Sequence, residues 1–162
     1  MTQVHGQQGR SGRVPQTLRP PWTDETRIRD NCTSCGACIK TCPESILVTA
    51  RAGTPAIELN GGACTFCGDC AAACDEPVFR STDETPWTII AAIGSSCLLH
   101  QGVTCQSCTD ACDVAALSFS FASGPAGAIS LDSDLCTGCG ACLGVCPVSA
   151  IQLTFPQLTC AA

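Results

Sequence analysis

Closely spaced cysteines are the residues of this chain most able to perform chemistry. Cys136, Cys139 and Cys142 are each separated by two residues, and Cys146 follows after three more, directly before Pro147. This C-x2-C-x2-C-x3-C-P spacing is typical of [4Fe–4S] binding, since three thiols on one tight loop face three corners of a cuboidal cluster. Gly138 and Gly140 allow the backbone to approach that cluster closely. The fourth thiol is displaced from the loop and predicts a second, neighbouring cluster.

Three further runs carry the same pattern. The first matches it at every position, the second has Asp75 in place of the proline, and the third has five extra residues after its first thiol and Asp113 in place of the proline. The runs are Cys32, Cys35, Cys38 and Cys42; Cys64, Cys67, Cys70 and Cys74; and Cys97, Cys105, Cys108 and Cys112. Together with the last run they account for sixteen of the seventeen cysteines, and Cys160 is predicted to be a bystander.

The displaced fourth thiol predicts how the runs share clusters. In two-cluster proteins the fourth cysteine of a run ligates the other cluster. We name the four expected ligand sets site A (Cys32, Cys35, Cys38, Cys74), site B (Cys42, Cys64, Cys67, Cys70), site C (Cys97, Cys105, Cys108, Cys146) and site D (Cys112, Cys136, Cys139, Cys142). Four clusters are therefore expected. The insertion after Cys97 could keep that thiol off the iron, which would give a three-iron cluster, a labile cluster or no cluster at site C. In the last case the chain would hold three clusters.

The paired runs must be positioned by a repeated unit. Strand-forming residues separated by a turn lie between the runs in each half, first at residues 47–59 and then at residues 117–131. The connection from Cys42 to Cys64 is 22 positions and that from Cys112 to Cys136 is 24, which indicates an internal repeat. We predict an α+β fold of two tandem bacterial ferredoxin-like modules with short hairpins and short helices, stabilised by their clusters.

These units divide the chain into five segments. We predict a basic N-terminal tail at 1–27, a first module at 28–80, a linker at 81–88, a second module at 89–155 and a C-terminal tail at 156–162. Residues 1–23 contain no acidic residue and no periodicity and are expected to be mobile, although Trp22 beside two prolines indicates docking on this protein or on a partner. A short helix is expected over residues 23–30.

Two other uses of so many cysteines are disfavoured. A secreted disulfide scaffold is disfavoured by the odd cysteine number, the C-x2-C spacing and the lack of a secretory signal. A zinc site needs only two C-x2-C pairs and has no use for the third evenly spaced thiol. His5 and His100 are expected to be solvated. No catalytic triad, phosphate loop or dinucleotide motif accompanies the cysteines, which predicts that the chain is not an enzyme.

Charge is divided unequally along the chain. All eight Lys and Arg residues lie within residues 1–80, whereas residues 81–162 carry six acidic residues and no basic one. Nucleic acid is disfavoured as a partner, and a basic partner surface or the basic tail would be attracted. No apolar run approaches the roughly 18 residues of a membrane span. We therefore expect no membrane span. A cytoplasmic, reducing compartment is expected because a disulfide scaffold is disfavoured.

The order of these motifs resembles the NapF family of ferredoxin-type proteins over about residues 19–155. The resemblance depends on the segment 19–22 (Arg-Pro-Pro-Trp), on Phe79 soon after Cys74, on the stretched third run and on the closing segment 146–151. It implies a cytoplasmic accessory protein that interacts with the catalytic subunit of periplasmic nitrate reductase. The implied role is maturation of that subunit before export, through assembly of its iron–sulfur cluster. A general electron-transfer ferredoxin, or the electron-transfer subunit of a larger oxidoreductase, is the alternative.

Overall fold

The computed structural model describes residues 18–155, which form short helices and short antiparallel strands. The mixed α and β composition agrees with the predicted fold class. The helices are α1 (Glu25–Asn31), α2 (Ala37–Thr41), α3 (Asp69–Ala72), α4 (Ser107–Asp110) and α5 (Ala141–Gly144); the strands are β1 (Leu47–Thr49), β2 (Pro55–Ile57), β3 (Ile90–Ile93), β4 (Leu117–Ser120), β5 (Ala128–Leu131) and β6 (Ile151–Thr154). The predictions for residues 1–17 with His5, and for residues 156–162 with Cys160, lie outside the described residues.

A β-hairpin forms the frame of each half, where the sequence predicts one. β1 pairs with β2, with Leu47 opposite Ile57, and β4 pairs with β5, with Leu117 opposite Leu131. The first hairpin closes through a 3-10 turn at Arg51–Gly53, and the second has a 3-10 turn at Phe121–Ser123 directly after β4. Helix α2 packs against β1 and α3, and helix α4 packs against β4 and α5. The hairpins thus fix the helices that carry the thiols.

A third pair of strands joins the two ends of the second half. β3 pairs antiparallel with β6, with Ile93 opposite Ile151 and Ile90 opposite Thr154. The Gly94 N–H extends the contact by donating to the Ala150 carbonyl oxygen at 2.7 Å. No local sequence pattern predicts this pairing. In the first half, Leu18 forms an isolated bridge with Ile57 in β2.

The part of the N-terminal tail that the structure describes is packed, which corrects the expectation of mobility for residues 18–23. Pro20, Pro21 and Trp22 are buried, and Trp22 exposes 3% of its surface. The Trp22 N–H donates to the Pro86 carbonyl oxygen at 2.8 Å, and its indole Nε1 donates to the Glu84 carbonyl oxygen, also at 2.8 Å. Removing a large indole from water outweighs the entropy of ordering this short segment.

The same segment is tied down by a charged residue and leads into a capped helix. Arg19 makes an ion pair with Glu25 at 2.7 Å and donates to the Pro55 carbonyl oxygen at 2.8 Å. Helix α1 begins at Glu25, because Asp24 serves as its N-cap and accepts from the Arg27 N–H at 2.9 Å. The predicted helix over 23–30 is therefore present with its start and end shifted. The predicted boundary between tail and module stays a prediction.

Two hydrophobic cores contain cysteines among their buried members. Cys38 and Cys70 lie in the first core with Leu47, Ile57 and Leu59. Cys108 and Cys142 lie in the second with Ala91, Leu117 and Ile151. Leu143 is partly buried and packs against both cores, so the two halves are in contact. None of the helices in residues 18–155 has the length and apolar character needed to cross a membrane.

Candidate iron–sulfur centres

Site A is a pocket framed by four thiols from two cysteine runs. Cys32, Cys35, Cys38 and Cys74 line one cavity with an empty volume of about 360 Å³. Cys32 caps the end of α1, Cys38 lies in α2, and Cys74 follows α3. The packing of α2 against α3 brings the distant Cys74 to the loop of the first run. The structure thus groups these thiols as the crossover rule predicts.

Site D repeats this arrangement in the second half. Cys112, Cys136, Cys139 and Cys142 line a pocket with an empty volume of about 340 Å³. Cys112 follows α4 and Cys142 lies in α5, and these two helices pack against each other. Both halves thus group three thiols of one run with the fourth thiol of the other run.

Site C includes Cys97, for which the sequence left the outcome open. Cys97, Cys105, Cys108 and Cys146 line a pocket with an empty volume of about 350 Å³. The insertion folds into a 3-10 turn at Leu98–Gln101, which ends at Gly102 in the left-handed region with φ 79°. The extra residues are therefore taken up without moving Cys97 away from the other three thiols. His100 lies in this turn and is exposed, as expected.

Site B is recognised by the environment of its thiols. Cys42 and Cys64 pack against the core that holds Cys70. The pKa of Cys64 is raised to about 11, chiefly by burial, with smaller contributions from Cys42, Cys67 and Cys139. The pKa of Cys70 is raised to about 12, again chiefly by burial, with smaller contributions from Cys64, Cys67 and Cys38. Cys64 thus lies near Cys42, Cys67 and Cys70, and also near Cys139 of site D.

A shared backbone conformation shapes three of the four cysteine loops. Residues two and four positions after the first cysteine adopt positive φ in each of them. These residues are Ser34 and Gly36, Phe66 and Gly68, and Gly138 and Gly140. In the third run Gln106 precedes α4 with φ −127°, so the stretched loop follows a different path. Positive φ at Ser34 and Phe66 was not predicted, because the sequence signal for this conformation is glycine.

Gly138 is required for its positive φ and also because its neighbours leave no room for a side chain. A Cβ at Gly138 would clash with the Ile89 carbonyl oxygen and would lie 3.0 Å from the Trp87 indole nitrogen. That nitrogen donates to the Thr137 carbonyl oxygen at 2.8 Å. The loop of site D is therefore held against the linker between the two halves.

Burial disfavours ionisation of the buried thiols. Burial raises the pKa of Cys142 to about 12 and raises the pKa values of Cys38 and Cys108. Cys35 is exposed, and hydrogen bonds from the Ala37 N–H and the Thr33 side chain lower its pKa. Iron ligands must be thiolates, so binding of iron stabilises the charged form that burial otherwise disfavours.

Four of the sulfur atoms lie within hydrogen-bond distance of a nearby polar group. The Ala150 N–H donates to Cys146 Sγ at 3.2 Å, the Ser34 N–H to Cys32 Sγ at 3.4 Å, and the Ala91 N–H to Cys136 Sγ at 3.5 Å. Cys105 Sγ and Ser107 Oγ are 3.6 Å apart. Such bonds are among the factors that set the reduction potentials of iron–sulfur clusters.

The residues of these sites fit [4Fe–4S] clusters in number and chemistry. Each pocket at sites A, C and D presents four thiols, which is the complete donor set of a [4Fe–4S] cluster. All sixteen cysteines of the four sites are free of disulfides. Within residues 18–155 no three His, Cys, Asp or Glu side chains converge on the position of a single metal ion. The thiols instead line the walls of a space, as a polynuclear group requires.

Comparisons with known proteins find related sequences over most of the chain. A family model described as a 4Fe-4S dicluster domain matches residues 29–78 and 103–150. Ferredoxin-type protein NapF of Escherichia coli K12 is 39% identical over 148 residues, covering 91% of this chain and 90% of that protein. NapF of Haemophilus influenzae is 42% identical over 137 residues, covering 84% and 78%. Methylamine utilization ferredoxin-type protein MauM of Methylophilus methylotrophus is 30% identical and covers 92% and 75%.

Proposed function

Because this chain belongs to the NapF family of ferredoxin-type proteins, we propose that it is an accessory protein for maturation of the catalytic subunit of periplasmic nitrate reductase. It acts on the precursor of that subunit in the cytoplasm, before export, by helping to assemble its iron–sulfur cluster. The observation that carries the iron–sulfur part of this proposal is the grouping of four thiols at each of sites A, C and D.

The sixteen thiols of sites A to D are the proposed ligands of four [4Fe–4S] clusters. When bound, these clusters supply one-electron chemistry. The chain itself orients the thiols, buries one thiol of each site and donates backbone hydrogen bonds to three of the sulfur atoms. No step on a substrate is assigned to its side chains, so we propose that the chain is not an enzyme.

The charge distribution indicates where the precursor binds. Residues 81–162 contain no basic residue, and Asp110, Asp113, Asp132 and Asp134 are all exposed. A basic surface on the precursor would be attracted to this half. Trp22, in contrast, is committed to internal contacts with Glu84 and Pro86. We therefore place the docking surface on the acidic second half and not on the segment 19–22.

A binding experiment tests the partner. The variant Asp113→Asn/Asp134→Asn should bind the precursor more weakly at low salt, and high salt should remove the difference from the unchanged chain. The matched control is Glu44→Gln/Glu58→Gln, which removes two exposed acidic charges from the first half. Equal binding by both variants would contradict docking on the acidic half. The absence of any complex with the precursor would contradict the proposed partner.

A cellular experiment tests the role. Cells that lack this protein should export a catalytic subunit with less iron and lower nitrate reductase activity, and the unchanged chain should restore both. The alternative function, general electron transfer, is favoured by the ferredoxin-type relatives in two different systems. General electron transfer predicts that cells lacking this protein export a catalytic subunit with its full iron content, and that electrons reach this subunit more slowly.

A further inference from the structure

We propose that the four sites form one continuous electron path through both modules, in the order A, B, D, C. The inner sites B and D meet where Cys64 contacts Cys139. This inference rests on the proposed iron–sulfur function, and it adds that the two modules work as one unit and not as two separate carriers. The contact between the modules carries the argument.

Within each module, a shared core places the two sites side by side. Cys38 of site A and Cys70 of site B are both buried in the first core, where α2 packs against α3. Cys108 of site C and Cys142 of site D are both buried in the second core, where α4 packs against α5. Sites A and B are therefore neighbours, and sites C and D are neighbours.

Between the modules, two ligand residues are joined directly. The Cys64 N–H donates to the Cys139 carbonyl oxygen at 2.8 Å. Cys64 belongs to site B and Cys139 to site D, so the peptide groups of two different ligand loops are in hydrogen-bond contact. This bond runs from one module to the other and joins the backbones of the two loops directly.

Close packing around this bond shows that the contact is built into the fold. Leu59 is buried against Gly140, where an added Cβ would lie 2.6 Å from the Leu59 side chain. Gly144, at the end of α5, faces the Asn60 carbonyl oxygen, which a Cβ would approach to 3.2 Å. Two glycines of the site D region thus allow the segment before site B to approach closely.

An aromatic contact ties the same two loops together a second time. Phe66 lies between Cys64 and Cys67, and its ring centre is 5.5 Å from that of Trp87. Trp87 in turn donates to the Thr137 carbonyl oxygen in the loop of site D. The pocket of site A is lined by residues 32–79 and that of site C by residues 93–151. The contacts between the modules described above involve the loops of sites B and D, so we place sites A and C at the outer ends of the path.

Clusters held at these sites would exchange one electron at a time. A cluster at one site would be oxidised by one electron and a cluster at its neighbour would be reduced by one, so the net charge of the protein would be unchanged. A one-electron reductant supplies the electron at one end and a one-electron oxidant removes it at the other. In the test below, dithionite is the reductant.

Electron paramagnetic resonance of dithionite-reduced protein tests the order of the sites. In Cys35→Ser/Cys105→Ser the outer sites A and C are disrupted, and the two clusters that remain belong to different modules. We expect spin–spin broadening between them in this variant. In Cys67→Ser/Cys139→Ser the inner sites are disrupted, and we expect the two remaining spectra to be narrow and independent. Independent spectra in the first variant, with about eight iron atoms per chain bound, would overturn the proposal.

A second measurement applies if the variants without outer sites do not fold. In the full chain with all sixteen cysteines present, Gly144→Leu should push Asn60 away from α5. The bond from the Cys64 N–H to Cys139 should weaken as a result, so amide exchange at Cys64 should become faster. Ala72→Leu is the matched control, because Ala72 is the last residue of α3 as Gly144 is of α5, and it is exposed. Equal exchange at Cys64 in both variants would overturn the crossing point. If Cys35→Ser/Cys105→Ser shows no spin–spin broadening while the unchanged chain still binds the precursor, this inference alone is contradicted. If the unchanged chain does not bind the precursor, only the proposed partner is contradicted.

Discussion

The Trp22 indole meets the Phe66 ring edge to face, with ring centres 6.3 Å apart and ring planes at 86°. Phe66 makes a similar contact with Trp87. Phe66 belongs to the loop of site B, whereas Trp22 precedes the first cysteine run and Trp87 precedes the second module. The N-terminal segment and the linker therefore support a ligand loop from both sides.

The first prediction follows from this contact. Trp22→Ala should lower the free energy of unfolding by about 3 kcal/mol or more, since it empties a buried site of aromatic size. The loop of site B should also lose iron more readily. The measurements are denaturant unfolding and iron analysis under anaerobic conditions.

A truncation provides the control for Trp22. Removal of residues 1–17 deletes no cysteine and none of the segment that packs against Pro86 and Glu84. It should leave both the unfolding midpoint and the iron content unchanged. Equal stability of Trp22→Ala and the truncated chain would show that the indole does not support the fold.

Local features of the fold could be predicted from the sequence. The C-x2-C-x2-C-x3-C spacing fixes which thiols share a loop, and the turn between Leu47 and Ile57 fixes a hairpin, because both depend on residues near one another in the chain. The grouping of Cys74 with the first run and of Cys146 with the third follows from the crossover rule.

Contacts between distant segments could not be predicted in this way. The pairing of Ile93 with Ile151 and the bond from Cys64 to Cys139 join residues far apart in the chain, and neither has a local sequence signal. The burial of Trp22 depends on the linker that receives it. The position of Cys97 depends on how the insertion folds, which spacing alone leaves open.

The second prediction tests the position of Cys97. Cys97→Ser should reduce the iron content from about sixteen to about twelve atoms per chain, since it removes one thiol from site C. Cys160→Ser, a change at the cysteine outside the four runs, should keep about sixteen. An unchanged iron content in Cys97→Ser would show that Cys97 is not a ligand.

The third prediction concerns the coupling of cluster binding to folding. Cys139→Ala removes a ligand from site D, and cluster binding at a site absent from the unfolded chain contributes to folding free energy. Limited proteolysis should therefore cut this variant from about residue 89 onward, at sites that are protected in the unchanged chain. A variant that loses iron yet stays resistant to the protease would contradict this role of the clusters.

The fourth prediction concerns the reduction potential of site C. When Cys105 is a thiolate, Ser107 Oγ is the donor of their contact, and this bond favours the more negative reduced state. Ser107→Ala should shift the potential to more negative values by roughly 40 mV, if the bond contributes about 1 kcal/mol. Ser118→Ala removes a hydroxyl that pairs with Ser130 in the second hairpin and is the control. A redox titration followed by electron paramagnetic resonance measures the potential of site C in the two variants. Equal potentials in Ser107→Ala and Ser118→Ala would contradict the hydrogen bond from Ser107 to a Cys105 thiolate.

Iron and acid-labile sulfide analysis of anaerobically purified protein tests the central claim most directly. Four filled sites predict about sixteen iron and sixteen sulfide per chain, with a broad brown absorbance that dithionite bleaches. About twelve of each would show that one site, with site C the first candidate, does not hold a complete cluster. A colourless protein that binds zinc in fixed proportion and contains no sulfide would contradict the iron–sulfur function itself.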